Sequence, residues 1–479
     1  VLEVSDLPGF WYLLKNPRDC GWVHSQRVVY QVEHHFNHLD RELNHMSEVT
    51  IRRRLSNHER GFHDLETPER RQIVSGVAFL SDNISSELLW KRMEKFVRAN
   101  PLFRSRVVGN NTPEWRMDRS FDLMNHCDET SIHFAGTEQI LSHVSNAASH
   151  GLSDDQPPWR ISLIRFVNGS QETERCALAI WAHHSLLDGL QGMSLLDSLL
   201  DGTQRPLGER NPASDDDTKS DEAAPKDPVV SSSCIRSVTA EMLRRPLTGP
   251  LASNGFASAK RTTLAFEWSR QSFQAARKSI TASFQEVLLA VLTDGLARYT
   301  QARRLERNVR VILPLGRSNN HPSASVTNRH DVGYIELPTT SCDTSRQSDI
   351  RKNLQQRQRD QEQGIFASIL SFMNWLPRTI RRAVVRRYAQ GADLLISLIP
   401  GTRAISTLAG AKVTALYAQP ALPPRHSVAM GITVNRQNVC LAVQFDPSCI
   451  EQPLELKDCL ETAYQKIVLG GAGRNDGKN

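Results

Sequence analysis

The sequence predicts an α/β chain of two lobes, and three observations carry that reading. Cys176–Ala182 (CALAIWA) is a continuous apolar run, as expected of a strand buried on both faces. Strand-like and helix-like periodicities recur in both halves of the chain. Between the halves lies one polar stretch, residues 201–228, rich in Asp, Pro, Ser and Gly, with eight acids against four bases. The expected organisation is an N-terminal extension at 1–54, lobes at 55–200 and 236–468, a linker at 201–235 and a disordered tail at 469–479.

The elements follow in order. Val74–Leu80 reads as a strand. A helix capped by Ser85 or Ser86 comes next, with Leu89, Met93, Phe96 and Val97 on one face and Pro101 as its stop. Arg160–Val167 is a second strand, after the turn-like Asp154–Pro158. The CALAIWA strand leads through a short loop to a helix over Leu190–Leu200, where Met193, Leu196 and Leu200 keep helical spacing. In the second half, Phe284, Val287, Leu288, Val291, Leu292 and Tyr299 mark the clearest amphipathic helix. Strands are expected at 310–315, 333–337, 411–418, 429–435 and 439–445.

Composition bounds the possibilities. Of 479 residues, 39% are hydrophobic and 23% charged, enough apolar material for a real core and too much for a disordered polymer. A net charge of +6 over that length does not imply nucleic acid. Eight scattered cysteines without a CxxC pair fit a reducing compartment better than a disulfide framework or zinc cage, so a cytoplasmic chain is expected. No stretch approaches the ~18 apolar residues of a spanning helix. No signal-peptide pattern follows Val1, and truncation at that end is one reading.

The chemistry-bearing candidate is the loop after the buried strand, His183-His184-Ser185-Leu186-Leu187-Asp188-Gly189. A histidine leaving such a strand can stand at a cleft, where a near-neutral pKa suits general-base work on a hydroxyl. An acid four residues on can brace the loop by pairing with a distant arginine. Gly189 relieves crowding where the backbone enters the helix. The plainer alternative is two histidines and an aspartate that merely end a strand. A metal reading lacks further ligands nearby in sequence, and no metal is expected. A near-copy, His34-His35-Phe36-Asn37-His38-Leu39-Asp40, has its aspartate one residue late and no glycine, and reads as a polar helix. The tail from Gly470 to Asn479 lacks the spacing of a phosphate loop.

The HHxxxDG pattern resembles the signature of the acyltransferase superfamily that includes chloramphenicol acetyltransferases and peptide-synthetase condensation domains. The flanking boxes are most similar to the wax ester synthase/diacylglycerol acyltransferase branch. They are Asn100–Arg106, Phe121-Asp122-Leu123-Met124-Asn125-His126, Pro157-Pro158-Trp159, Pro314-Leu315-Gly316-Arg317, Asn328-Arg329, Leu337-Pro338-Thr339, Pro400-Gly401 and Leu408-Ala409-Gly410-Ala411. The resemblance spans about residues 55–468 and implies a two-lobed chloramphenicol-acetyltransferase-like fold with a cleft or tunnel between lobes.

It also implies roles. His184 would take the proton from an acceptor hydroxyl as it attacks an acyl-CoA thioester. His183 would shape the site, and Asp188 would be structural, paired to Arg104 or, second, Arg106. Two positions depart from the branch: Gln285-Glu286 replaces Asn-Asp, and Leu398 replaces the Asn of Ser-Asn-Val. Gln285 can still donate to substrate or oxyanion, whereas Leu398 cannot. The implied reaction is acylation of a fatty alcohol or diacylglycerol, with acyl-CoA as co-substrate and no cofactor. A short-chain acetyltransferase, a condensation-type enzyme and a non-catalytic acyl-binding descendant stay open. The run Arg378–Arg387, with Arg378, Arg381, Arg382, Arg386 and Arg387 and no acid, fits peripheral membrane or lipid-droplet contact, a solvated helix, or a patch steering CoA phosphates.

Overall fold

In the computed structural model the described residues are 51–110, 112–167, 175–202, 251, 258–305, 307–315, 331–359, 376–401, 406–450 and 452–470. The His34–Asp40 near-copy, the linker beyond residue 202, Gly316-Arg317, Asn328-Arg329 and the tail from residue 471 lie outside them.

The apolar runs become the centres of two six-stranded sheets. In the first, β7 (Cys176–His183) is flanked antiparallel by β2 (Ile73–Leu80) and β6 (Trp159–Val167), and β5 (Cys127–His133) pairs parallel at the edge. Helices α2 (Ser86–Ala99) and α4 (Gly189–Leu199) cover one face, burying Leu89, Met93, Phe96, Leu195, Leu196 and Leu199. Ser85 is the cap of α2, accepting from the amide of Leu88 at 3.3 Å. Helix α3 (Thr137–Ser149) covers the other face with Ile140, Leu141 and Val144. Each fully buried aliphatic side chain of this kind contributes ~1.5–3 kcal/mol.

The second sheet runs β10 (Asp331–Leu337), β9 (Val309–Leu315), β11 (Leu394–Pro400), β14 (Val428–Val434), β15 (Asn438–Phe445), β8 (Thr262–Ser269). Its core forms on α6 (Phe284–Gln301), where Val287, Leu288, Val291, Leu292 and Tyr299 are buried as their spacing predicts. Not every element is legible in the sequence. Strands β5, β8 and β11 and helix α3 have no counterpart among the expected elements. β5 (CDETSIH) shows why: it is an edge strand with mostly polar, alternately exposed residues, so no apolar run marks it.

The sheets do not divide where the sequence divides. Strands β12 (Thr407–Leu408) and β13 (Ala411–Gln419), from the second half, complete the first sheet, with β13 antiparallel to β2 from Gln419↔Ser75 to Val413↔Leu80. Where β13 hands over to β14 the two backbones nearly touch. A Cβ on Gly431 would lie 1.9 Å from the carbonyl oxygen of Ala418, so only glycine fits that crossing. Gln419 ties the junction further, accepting from Ser75 Oγ and donating to Leu141 O and Thr263 Oγ1. Arg70 and Asp446 add a buried ion pair at 2.8 Å. The two halves of the chain are therefore interlocked around α3 and β13.

Candidate active site

The site begins with a helix that none of the expected elements includes, α1 (Asn57–Leu65). Ser56 and Glu59 form a reciprocal capping box at its start, and Glu59 is held by two hydrogen bonds from Arg53, at 2.9 and 2.7 Å. Arg53 belongs to β1 (Arg52–Arg54), which pairs with β4 (Glu114–Met117). At the other end Asp64 makes a buried ion pair with Arg381, on α8 (Arg378–Ala389). Fixed at both ends, α1 presents Phe62 and His63 to the histidine pair.

The two pairs stack residue on residue. The His184 ring lies on Phe62 with centroids 3.9 Å apart, and the His183 ring lies on His63 at 4.3 Å. Backbone bonds hold the strand exit: His183 N donates to Pro158 O at 2.9 Å and His184 N to Gln72 O at 2.8 Å. Successive residues of an extended chain point to opposite sides, so the two imidazoles look into different spaces.

His184 lines a cavity of about 100 Å³ whose wall is mostly aliphatic, including Leu178, Ile180, Met193, Leu196 and Ile399. His183 lines a second cavity, about 440 Å³, with Arg60, Arg71, Arg378, Arg381 and Arg382 in its wall. His63 and Glu66 line this polar side too.

The polar side carries the perturbed titrations. Burial, with the neighbouring His183, pushes His63 down to about 3. Burial by itself would raise the Glu66 carboxyl. Contact with His183, whose Nε2 lies 3.7 Å from Glu66 Oε2, and the charges of Arg71 and His63 outweigh it and bring the group to about 2. His63, Glu66 and His183 place ligand-type atoms within 4.8 Å of one another, which raises the question of a metal. The tautomer of His183 argues against one. Ser185 N donates to His183 Nδ1 at 3.1 Å, which leaves the proton of the neutral ring on Nε2, the atom that would have to bind the ion.

Asp188 is buried, and its carboxylate caps α4 by accepting from Gln191 N at 2.8 Å while Gln191 Oε1 accepts from Asp188 N. Arg104 is not brought to it. The Arg104 guanidinium stands over the Phe121 ring, 5.7 Å from the centroid. Gly189 has a different reason from the expected backbone turn: a Cβ there would meet Ile399 Cδ1 at 2.7 Å, so β11 packs against the start of α4.

Gln285 lines neither cavity. It sits half-buried in the first turn of α6, which is built around the Ser283–Glu286 capping box and the 2.8 Å ion pair of Glu286 with Arg351. Strand alternation also disposes of Leu398. It packs with the core on α6, whereas Ser397 and Ile399 on either side of it face the apolar cavity. Among the described residues the Ser397 hydroxyl makes no hydrogen bond, while Ser75, Gln419 and Thr433, which line the same cavity, are engaged in the β13 junction.

Three of the flanking boxes, Asn100–Arg106, Phe121–His126 and Pro157–Trp159, meet in one aromatic stack. Phe121 stacks on His126 and His126 on Trp159, whose Nε1 donates to Phe103 O at 2.7 Å. Pro158, in the same box as Trp159, accepts the His183 amide, so this stack anchors the strand exit from behind. Sequence reasoning missed Phe62, His63 and Glu66. The one available mark was Ser56-x-x-Glu59, a capping-box spacing that announces α1 but not what it touches.

Comparison with known proteins gives the family and the fold. Residues 55–313 match the wax ester synthase/diacylglycerol acyltransferase catalytic domain, and residues 326–468 match the C-terminal domain of the same family. A Mycobacterium tuberculosis protein named as a probable diacylglycerol O-acyltransferase is 26% identical over 161 residues, 32% of this chain and 58% of that protein. The chain thus spans under two thirds of that relative's length. The O-acyltransferase WSD of Acinetobacter baylyi is 23% identical over 352 residues, 63% of this chain and 72% of its own. The solved wax ester synthase/diacylglycerol acyltransferase of Marinobacter aquaeolei superposes with a TM-score of 0.62 at 18% identity, over 88% of this chain and 100% of that one, which establishes the shared two-lobed fold. With more than half of its length matched by the catalytic domain, the chain belongs to the wax ester synthase/diacylglycerol acyltransferase family.

Proposed function

We propose that the protein transfers an acyl group from coenzyme A to the hydroxyl of a fatty alcohol or diacylglycerol. The observation that carries this reading is the position of His184, an imidazole in the wall of an aliphatic cavity. His184 takes the hydroxyl proton as the oxygen attacks the thioester carbonyl. The new C–O bond gives a tetrahedral oxyanion, for which the Ser397 hydroxyl is the available side-chain donor in that wall. Collapse breaks the C–S bond, and the departing thiolate recovers the proton from His184. Phe62, stacked on the imidazole, fixes its plane, and the Asp188 cap fixes the turn that follows.

Among the described residues no single helix is long and apolar enough to cross a membrane. On the expected cytoplasmic location, contact with a membrane or lipid droplet would be peripheral. It would not rest on the arginine run as a whole, because Arg381 is buried and Arg382 and Arg386 turn inward to the Glu66 carbonyl. Vesicle flotation of the wild-type protein tests that contact directly.

The activity test is a panel of acyl-CoA lengths against hexadecanol, diacylglycerol and short alcohols, read by release of free thiol. Thiol release with long-chain acceptors is the expected result. Release with short alcohols alone would move the reading to a short-chain acetyltransferase. No release with any pair would leave an acyl-binding protein.

A further inference from the structure

The cavity on the His183 side takes no part in the proton transfer assigned to His184, yet it is the larger of the two. Its wall carries Arg60, Arg71, Arg378, Arg381 and Arg382 against Asp64, Glu66 and Asp154. Arg381 is paired with Asp64, and Arg71 approaches Glu66 at 3.5 Å. Asp154 is exposed. Arg378 and Arg382 have no carboxylate within ion-pair distance among the described residues. Arg382 and its neighbour Arg386 both donate to one acceptor, the backbone carbonyl of Glu66.

Positive groups gathered this closely repel one another, and the partial charge of a carbonyl compensates them poorly. The imbalance continues to the cavity floor. There His183, a neutral ring 4% exposed, makes no hydrogen bond through Nε2, which lies 3.7 Å from Glu66 Oε2 and adds no negative charge to the basin. A built excess of guanidinium groups in a walled basin is the recognition chemistry of phosphate, which arginine holds through paired N–H donors.

We infer that this basin binds the phosphate groups of the acyl donor, with Arg378 and Arg382 as their principal holders. The inference rests on the acyltransferase reading for the identity of the donor. The two walls adjoin at Ile73–Val74 and His183–His184, and a coenzyme A thioester anchored by its phosphates would have to pass this junction to reach His184. A lipid headgroup carries the same chemistry. The basin favours the nucleotide because Val107, Gly109, Pro113, Leu152 and Pro158 also line it, whereas on α8 Ile380 is the one large exposed apolar side chain among the described residues.

The test compares wild type with the double variant Arg378→Gln/Arg382→Gln by calorimetric titration of coenzyme A and of N-acetylcysteamine, which has the same thiol end and no phosphates. Wild type should bind coenzyme A far more tightly than N-acetylcysteamine. The variant should bind coenzyme A at least about tenfold more weakly, the scale of a lost charge-assisted hydrogen bond. In turnover, the ratio of KM for the acyl-N-acetylcysteamine thioester to KM for acyl-CoA should fall by a similar factor. If the double variant melts early, R378Q alone, at a half-exposed position, makes the same comparison.

Unchanged coenzyme A affinity in a folded variant overturns the site and leaves the acyltransferase reading standing. Arginine-dependent coenzyme A binding by a wild-type protein that transfers no acyl group supports the site and removes that reading. Loss of sedimentation with phosphatidylserine/phosphatidylcholine vesicles, with coenzyme A affinity intact, overturns the inference in favour of a headgroup.

Discussion

One peptide bond separates His183 from His184, and the spaces they enter have opposite character. The His184 side is walled by aliphatic side chains from β2, β7, α4, β11 and β13. The His183 side is walled by arginines from α1 and α8 and by the depressed pair His63 and Glu66. Neighbouring residues of one type thereby acquire different work. On the proposed reaction, a base facing an aliphatic cavity would meet alkyl substrates with little competing water. The other histidine is braced by Ser185 and Glu66 in a charged basin. Strand alternation makes the separation, and α1 enforces it by stacking a different ring on each imidazole.

The largest effect is expected at the base. His184→Ala should lower ester formation by ~10²–10⁴, the range of general-base catalysis, with circular dichroism unchanged. A folded variant turning over near the wild-type rate would erase the distinction between the two sides.

The next concerns the clamp. Asp64→Asn removes one partner of the buried pair with Arg381, and breaking such a pair costs about 3–5 kcal/mol in chemical denaturation. Replacing both partners by apolar residues should recover much of that loss, because the orphaned charge is gone.

The polar side also sets an acid dependence. His63 titrates at about 3 in the fold against an ordinary 6.5, so between those values the unfolded chain binds the extra proton. Its stabilisation is complete above pH 6.5 and is lost as pH falls toward 3. Glu66 adds a loss in the same direction, from 4.5 down to about 2. His63→Phe keeps a stacking ring and removes the first contribution. Urea denaturation between pH 6.5 and 4.5 should then show a flatter decline, by up to about 1.4 kcal/mol per pH unit. An unchanged slope would mean that His63 does not titrate as a buried group.

The smallest change is expected on the aliphatic side. Gly189→Ala pushes a methyl against the end of the Ile399 side chain, which can move. A destabilisation below about 1.5 kcal/mol is expected, relieved by Ile399→Val. Gly431→Ala is the control: its methyl meets the rigid Ala418 carbonyl and should cost considerably more.

Much of the fold is legible in the amino-acid pattern alone. Leu178 and Ala179 sit in a short apolar run of the kind a doubly buried strand shows, and Leu89, Met93 and Phe96 or Val287, Val291 and Tyr299 repeat at helical spacing. His183, His184 and Asp188 stand out by the motif, whereas the capping of α4 by Asp188 emerges only in the structure. The partners are not legible. Arg104 is the expected mate of Asp188 and instead covers Phe121. Gln285 is the expected oxyanion donor and instead lies in a helix turn organised by Ser283 and Glu286, while Ser397 faces the cavity. The inward turn of Arg381, Arg382 and Arg386 depends on Asp64 and on the Glu66 carbonyl, more than 300 residues away in the chain.

The amino-acid sequence by itself determined the local structure here: apolar periodicity, caps and a strand-exit histidine pair, all set by interactions within a few residues. Tertiary structure alone decided which histidine faces alkyl chains and which faces arginines. That choice depends on where α1 and α8 dock and on β13 crossing into the first sheet. Such contacts join residues distant in the chain through shape and charge, and a one-dimensional pattern carries no record of them.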